Sequence, residues 1–223
     1  MMNFDTAFIF EAIPRLLKYL PMTLMLAVGS MLLACLMGIV LALIINNKIF
    51  ILSPLAKVYI SFFRSVPTLV TLFIFYVGIP QVFPEFTFID AITATIVALS
   101  FKNAAYLAEE FRGALNAVDS GQMEACLSVG MTKWQGFRRV VLPQALRIAV
   151  PSLGNYLIML VKESSLAFTV GVTDIFAQTK ILASNSFRFL ESYIAVALIY
   201  WAVTIVLSML QGKLEKVMSK PYR

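Results

Sequence analysis

The amino-acid sequence predicts an all-α membrane protein whose chain crosses the bilayer five times. Three observations carry that expectation. Hydrophobic residues fill 60% of the 223 positions, and Asp, Glu, Lys and Arg fill 13%, about half the ~25% charged share of a soluble domain. The charges are bunched between long runs that lack them, the pattern of segments immersed in lipid. Basic residues also collect on alternate connections, as in membrane proteins with a defined orientation. The formal charge of +6 therefore belongs to the connections. Membrane lipid is the expected surrounding, and nucleic acid is not an expected partner, because the basic residues stand at the ends of apolar runs and not on one polar face.

Residues 4–20 mix Phe8, Ile9, Phe10, Ile13, Leu16 and Leu17 with Asp5, Glu11, Arg15 and Lys18, which predicts an interfacial helix. Residues 1–21 thus form an N-terminal interfacial segment ahead of a transmembrane domain over 22–212. The first span is the uncharged stretch 22–45, 24 residues long and ~36 Å as a helix, enough to cross ~30 Å of hydrocarbon with tilt. Arg15 and Lys18 precede it as in a signal peptide, but the run exceeds the ~7–15 residues of a signal core and is read as retained. The second span, 66–82, is interrupted by Pro67, Gly78 and Pro80, with Arg64 and Ser65 at its mouth. Pro67 falls in the first turn, where a missing N–H is tolerated. The third, 91–108, holds one charge, Lys102. The fourth, 145–161, contains Arg147 and Pro151 and leads into Lys162, Glu163, Ser164 and Ser165. Residues 166–183, broken by Gly171 and Asp174, read as a partly re-entrant or lumenal helix. The fifth span, 192–212, is again uncharged, and 213–223 form a cytoplasmic tail.

With the N-terminus outside, the inner connections carry 12 Lys and Arg and the outer ones 5, so the chain is expected to be N-out and C-in. The longest polar loop, 109–147, then lies in the cytoplasm. The sequence contains no His, which excludes Ser-His and Cys-His dyads, His-ligated metals and His proton relays. Cys35 lies in an apolar run and Cys126 in a polar loop, so two free thiols are expected. Gly212-Lys213 is followed by Leu214 and lacks the upstream glycine of a Walker A loop, so ATP dependence would come from a partner.

Within the loop, Asp119 and Gln122 have capping-box spacing and predict a short helix closed by Gly130 in the left-handed conformation. Thr132 with Gln135 repeats the box and predicts a second short helix limited by Pro143. Each is ~13 Å long and cannot span the bilayer. Physics alone leaves two readings open, an interfacial amphipathic pair or a knob that enters a groove on another protein.

The full pattern Glu124-Ala125-Cys126, Gly130, Val140 and Leu142-Pro143 resembles the EAA motif of the membrane subunits of bacterial ATP-binding-cassette importers. Cys126 replaces Ala and Val140 replaces Ile, both close in size. The flanks Phe62-Phe63-Arg64-Ser65-Val66-Pro67, Ala105-Tyr106-Leu107-Ala108-Glu109, Phe137-Arg138-Arg139 and Lys162-Glu163-Ser164-Ser165-Leu166 look like the polar amino-acid subfamily. The resemblance covers about residues 15–212. It implies a type I importer permease with five spans and cytoplasmic coupling helices, paired with a second permease copy as a homodimer or, less commonly, a heterodimer. It also implies two copies of a cytoplasmic ATPase subunit and an extracytoplasmic solute-binding protein, with this chain itself in a bacterial inner membrane. ATP and Mg would be bound by the ATPase, leaving this chain with no cofactor and no enzymatic activity. Carried over by position, Glu124, Ala125, Gly130, Leu142 and Pro143 are the expected coupling residues. Glu124 would offer a carboxylate from the first turn, Ala125 would allow close approach, and Gly130 would supply a turn that a Cβ strains.

Charges at membrane depth usually face a cavity or pair with another group. Lys102 lies ~17 Å into the third span, near the midplane, and Asn103 and Tyr106 are its neighbours in sequence. Lys102, Asn103, Tyr106, Lys162, Glu163, Ser164 and Ser165 form a candidate substrate pathway, since a base, an acid and hydroxyls match the ammonium and carboxylate of an amino acid. A purely structural ion pair fits the same residues. Arg64 and Ser65 are candidate inner-gate residues, Arg64 also reading as a snorkelling anchor, and Glu109 with Arg112 reads as a helix-surface pair. Two other functions compete with transport: an intramembrane Ser-Lys enzyme using Ser164 or Ser165 beside Lys162, and a passive channel or assembly subunit, which leaves the docking loop unexplained. The texture of residues 102–106 and 162–165 is closer to cystine-type systems than to those for arginine or glutamine, making L-cystine the expected substrate.

Overall fold

The computed structural model describes residues 4–218, so the end of the tail, 219–223, lies outside the described residues. Asp5 opens the first helix, α1 (Thr6–Leu17), by accepting from the Ala7 and Phe8 amides at 3.0 and 3.2 Å. The apolar face of α1 is covered by protein: Ile9, Ala12 and Leu16 pack against Ile175, Ala195, Val196 and Ile199, while Phe10 points away, 73% exposed.

The first span, α2 (Leu20–Asn46), packs along the third, α6 (Ala91–Asn116). Its buried face repeats small residues, Ala27, Ser30, Ala34, Gly38 and Ala42, every three or four positions. A Cβ on Gly38 would stand 3.0 Å from Leu107 Cβ and 3.2 Å from the Ala108 nitrogen. Close backbone approach supplies the dispersion contacts that hold helices together where lipid gives no hydrophobic drive. Ser100 adds a hydroxyl bond to the Ser30 carbonyl at 3.2 Å.

The second span departs from expectation. It is the second arm of a bent pair, α3 (Leu52–Ser65) followed at 112° by the run Thr68–Val82. The sequence reading left α3 inside a connection, because Lys57 and Arg64 interrupt its apolar residues and no uncharged run marks it. Pro67 sets the bend, since the residue before a proline is driven to extended backbone and Val66 adopts φ −84°, ψ 133°. The run itself comprises α4 (Thr68–Phe73), a π turn (Ile74–Gly78) and α5 (Ile79–Val82).

A second π turn, Phe137–Val141, joins α8 (Lys133–Gly136) to α9 (Leu142–Glu163). In both places a proline, Pro80 or Pro143, lies two residues beyond the π turn. The wider turn lets the helix continue where the proline ring would otherwise strike the preceding carbonyl. Pro143 therefore does not limit the second short helix; α8 runs into the fourth span.

Among the described residues, four helices are long and apolar enough to cross a membrane, and the bent pair, taken as one span, makes a fifth, matching the five spans. Most of 109–147 is helical: α6 extends to Asn116, α7 covers Ser120–Ser128 and α9 begins at Leu142. Beyond α9, a 3-10 turn (Ser164–Val170) and Gly171 at φ +92° lead to α10 (Ile175–Ser186). At 12 residues, ~18 Å, α10 makes no crossing. The last span is α11 (Phe189–Met218), and Cys35 and Cys126 are free thiols.

Candidate functional site

The bend between α3 and α4 places Thr68 beside α6 and the end of α9, where it completes a polar cluster. Lys102 Nζ donates to Thr68 Oγ1, and that hydroxyl donates onward to Glu163 Oε1 at 3.1 Å. Lys102 Nζ lies 3.7 Å from the same oxygen, with the two side chains 12% and 20% exposed. Asn103 Nδ2 bonds Glu163 Oε2 at 3.3 Å and the Leu99 carbonyl at 2.9 Å. Both of those neighbours are acceptors, which fixes the amide orientation. Asn103 Oδ1 is consequently buried without a hydrogen-bond partner, an arrangement that costs about 1–3 kcal/mol.

Lys102, Asn103 and Glu163 are thus brought together as expected, and the other pathway candidates are not. Lys162 is exposed and stands outside the cluster. Ser164 and Ser165 spend their hydroxyls on the Val161 and Lys162 carbonyls, at 2.9 and 2.7 Å. Tyr106 lies farther along α6, where its hydroxyl donates to the Arg64 carbonyl at 3.1 Å and the Arg64 guanidinium sits 5.5 Å from its ring. Ser65 bonds back to Ser61 at 2.8 Å and takes no part. Glu109 and Arg112 pair at 2.7 Å, as expected of a helix surface. Thr68, Tyr156 and Glu110 were missed: Tyr156 donates to Glu110 Oε1 at 3.3 Å and faces Tyr106 with ring centroids 6.3 Å apart. Tyr156 stands seven residues before Glu163, on the same face of α9, and that spacing could have exposed it.

At one end of the bundle α7 and α8 form a projecting helix–turn–helix. Asp119 caps α7 by accepting from the Gly121 amide at 2.7 Å. The reciprocal half of the expected box is absent, because Gln122 accepts from Gln144 at 3.3 Å. Gly130 does occupy the left-handed region, at φ +82°. Met131 N donates to Cys126 O and Gly130 N to Leu127 O, both at 3.0 Å, which is a Schellman motif. The Thr132–Gln135 box is complete, at 2.9 and 3.2 Å. Glu124 lies in the middle of α7 and not in its first turn, so its carboxylate draws nothing from the helix N-terminus; it and Ala125 are exposed. Cys126 turns inward, against Gly136, where an added Cβ would meet Cys126 Cβ at 3.0 Å. Gly136 is a packing residue the sequence reading missed. Leu142 and Pro143 are half-buried at the start of α9, beside a cavity of about 620 Å3 between the projection and the bundle.

Residues 34–220 match the family described as binding-protein-dependent transport system inner membrane components. The chain belongs to that family. It is 56% identical over 223 residues, all of both chains, to the probable amino-acid permease protein YxeN of Bacillus subtilis (strain 168). It is 40% identical to the L-cystine transport system permease protein TcyL of the same organism, with 97% of this chain and 92% of that one aligned. The structure also superposes, at TM-score 0.87 and 35% identity, on a chain of a crystal structure of an amino acid ABC transporter with histidines, covering 96% of this chain and 99% of that one. The chain is thus an all-helical inner-membrane permease of the type I importer fold.

Proposed function

We propose that this permease forms the translocation pathway of an ATP-driven importer for a polar amino acid, and that Lys102, Asn103, Thr68 and Glu163 hold the substrate. The observation that carries this is the unpartnered Asn103 Oδ1 beside an ion pair. A buried acceptor, a cation and a carboxylate in one place offer partners for the ammonium and the carboxylate of any α-amino acid. The identity of about two residues in five with a cystine permease supports L-cystine as the substrate. The N-terminus faces outward, the α7–α8 projection faces the cytoplasm, and Glu124, Ala125 and Gly130 dock on a separate ATPase, two copies per transporter. That partner holds ATP and Mg and performs the hydrolysis. An extracytoplasmic binding protein delivers the amino acid. A second permease copy covers the exposed Lys162, since a bare cation at membrane depth is costly in lipid.

The test is coupling. In a reconstituted complex, Glu124→Lys and Gly130→Leu should leave assembly with the ATPase intact and abolish ATP-driven uptake. Wild-type uptake with normal stimulation of ATP hydrolysis in both variants would remove the docking role from this loop.

A further inference from the structure

Charges toward the α7–α8 end of α6 fall into two classes. Glu109 and Arg112 neutralise each other at 2.7 Å. Glu110 and Arg64, by contrast, make no ion pair among the described residues. Glu110 holds only the Tyr156 hydroxyl, at 3.3 Å, and the Arg64 guanidinium rests 5.5 Å from the Tyr106 ring. The two rings meet at 6.3 Å and 42°, and Tyr106 is tied by its own hydroxyl to the Arg64 carbonyl at 3.1 Å. The result is a continuous chain, Arg64–Tyr106–Tyr156–Glu110, linking α3, α6 and α9. Glu110 lies eight residues beyond Lys102 on α6, ~12 Å along the helix.

We propose that Arg64 and Glu110 form a second station for the amino-acid zwitterion, displaced toward the α7–α8 end from the Lys102–Glu163 cluster, with Tyr106 and Tyr156 bridging its two charges. A guanidinium binds a carboxylate through paired N–H donors, and a carboxylate accepts from an ammonium. Each group here keeps an uncompensated charge for that purpose. Phenol rings are apolar across their faces and polar at one edge. Tilted against each other, they fill the space between the two charges, and they hand a hydrogen bond to the moving ligand when they part. Arg64 also belongs to the last turn before the Pro67 bend, so any change in that bend moves the cation of the second station relative to the first.

This rests on the reading that the Lys102 cluster is a substrate site, and the experiment separates the two. Permease–ATPase complexes without binding protein are assayed for equilibrium binding of radiolabelled L-cystine and L-glutamine in detergent, and the same complexes, reconstituted with binding protein added, for ATP-driven uptake. Glu110→Gln and Arg64→Gln should lose about tenfold in maximal uptake rate, the effect of removing one charge-assisted bond from the passing ligand, whereas Glu163→Gln should lose equilibrium binding. Tyr156→Phe, which deletes a single oxygen, keeps the test open if a charge variant fails to assemble. It should lower the uptake rate without changing binding. Exchange of the charges, Arg64→Glu with Glu110→Arg, should restore uptake that either single change removes. Wild-type uptake in assembled Glu110→Gln and Arg64→Gln would overturn the second station. Undiminished binding in Glu163→Gln would instead overturn the first.

Discussion

Replacing Glu163 by Gln removes the anion from the Lys102 cluster while keeping its size. Removing one partner of a fully buried ion pair costs 3–5 kcal/mol, and an exposed pair is worth 0–1 kcal/mol. With the side chains 12% and 20% exposed and 3.7 Å apart, the cost should fall between these, at about 2 kcal/mol. The glutamine oxygen can accept from Thr68 or from Asn103, so one of the two bonds at 3.1 and 3.3 Å is retained. In a domain of this size 2 kcal/mol corresponds to a fall of about 4–8 °C in Tm. Lys102→Met should cost a similar amount, and the double variant, which leaves no charge unpaired, should recover most of the loss. Thermal unfolding of the four proteins measures the cycle, and amino-acid binding is measured on the same samples. Binding should be lost in all three variants, including the double variant whose stability returns. If the stable double variant binds as tightly as the wild type, the cluster is a structural fastening and the substrate site lies elsewhere.

Three further outcomes follow from local geometry. Gly130→Val should raise the energy of the turn by about 1–2 kcal/mol through left-handed strain alone, because nothing stands within 4 Å of the added Cβ; ATP-driven uptake should fall, Gly130→Asn should be milder, and equal uptake in both would contradict the strain argument. Gly38→Leu should cost about 1–3 kcal/mol or more by overpacking the α2–α6 contact, lowering the Tm of the purified protein, and an unchanged Tm would refute the close-packed seam. Burial pushes the Asp174 carboxyl up from 3.8 to about 6, against the lowering pull of the Ala177 and Phe176 amides and the Thr23 hydroxyl. A raised carboxyl stabilises the fold below its unfolded pKa and loses that contribution as pH climbs through about 6, so of order 3 kcal/mol should disappear between pH 4 and 7. Asp174→Asn keeps an acceptor for the Ala177 amide, now at 2.8 Å from Oδ1, and should flatten that loss in unfolding measurements at the two pH values.

Long uncharged runs announce themselves, so α2, α6, α9 and α11 were legible from composition. Their ends were not, because Glu109, Arg112 and Arg147 look like loop residues until a helix is seen to carry them beyond the apolar run. α3 was missed because it has no long uncharged run: Lys57 and Arg64 interrupt it, although it buries Ser53, Ala56 and Ile60 with Tyr59 and Phe63 half-buried beside them. Pro143 misled because a proline in isolation predicts a break, and the π turn that absorbs it has no sequence signature of its own. At the site, Lys102 and Glu163 stood out as charges in apolar surroundings. Thr68 did not, since one hydroxyl after a proline is unremarkable until the 112° bend swings it toward Lys102. Ser164 and Ser165 were attractive by type alone, but at the end of α9 each had a carbonyl three residues back, and helix geometry claimed them first.

The most direct measurement is uptake of radiolabelled L-cystine and L-glutamine into proteoliposomes carrying this permease with its ATPase, in the presence of binding protein. ATP-dependent accumulation of one of them by the wild type, absent in a fully assembled Glu163→Gln complex, is the predicted result. Accumulation by Glu163→Gln at the wild-type rate, or flux in the wild type that is indifferent to ATP, would contradict the account.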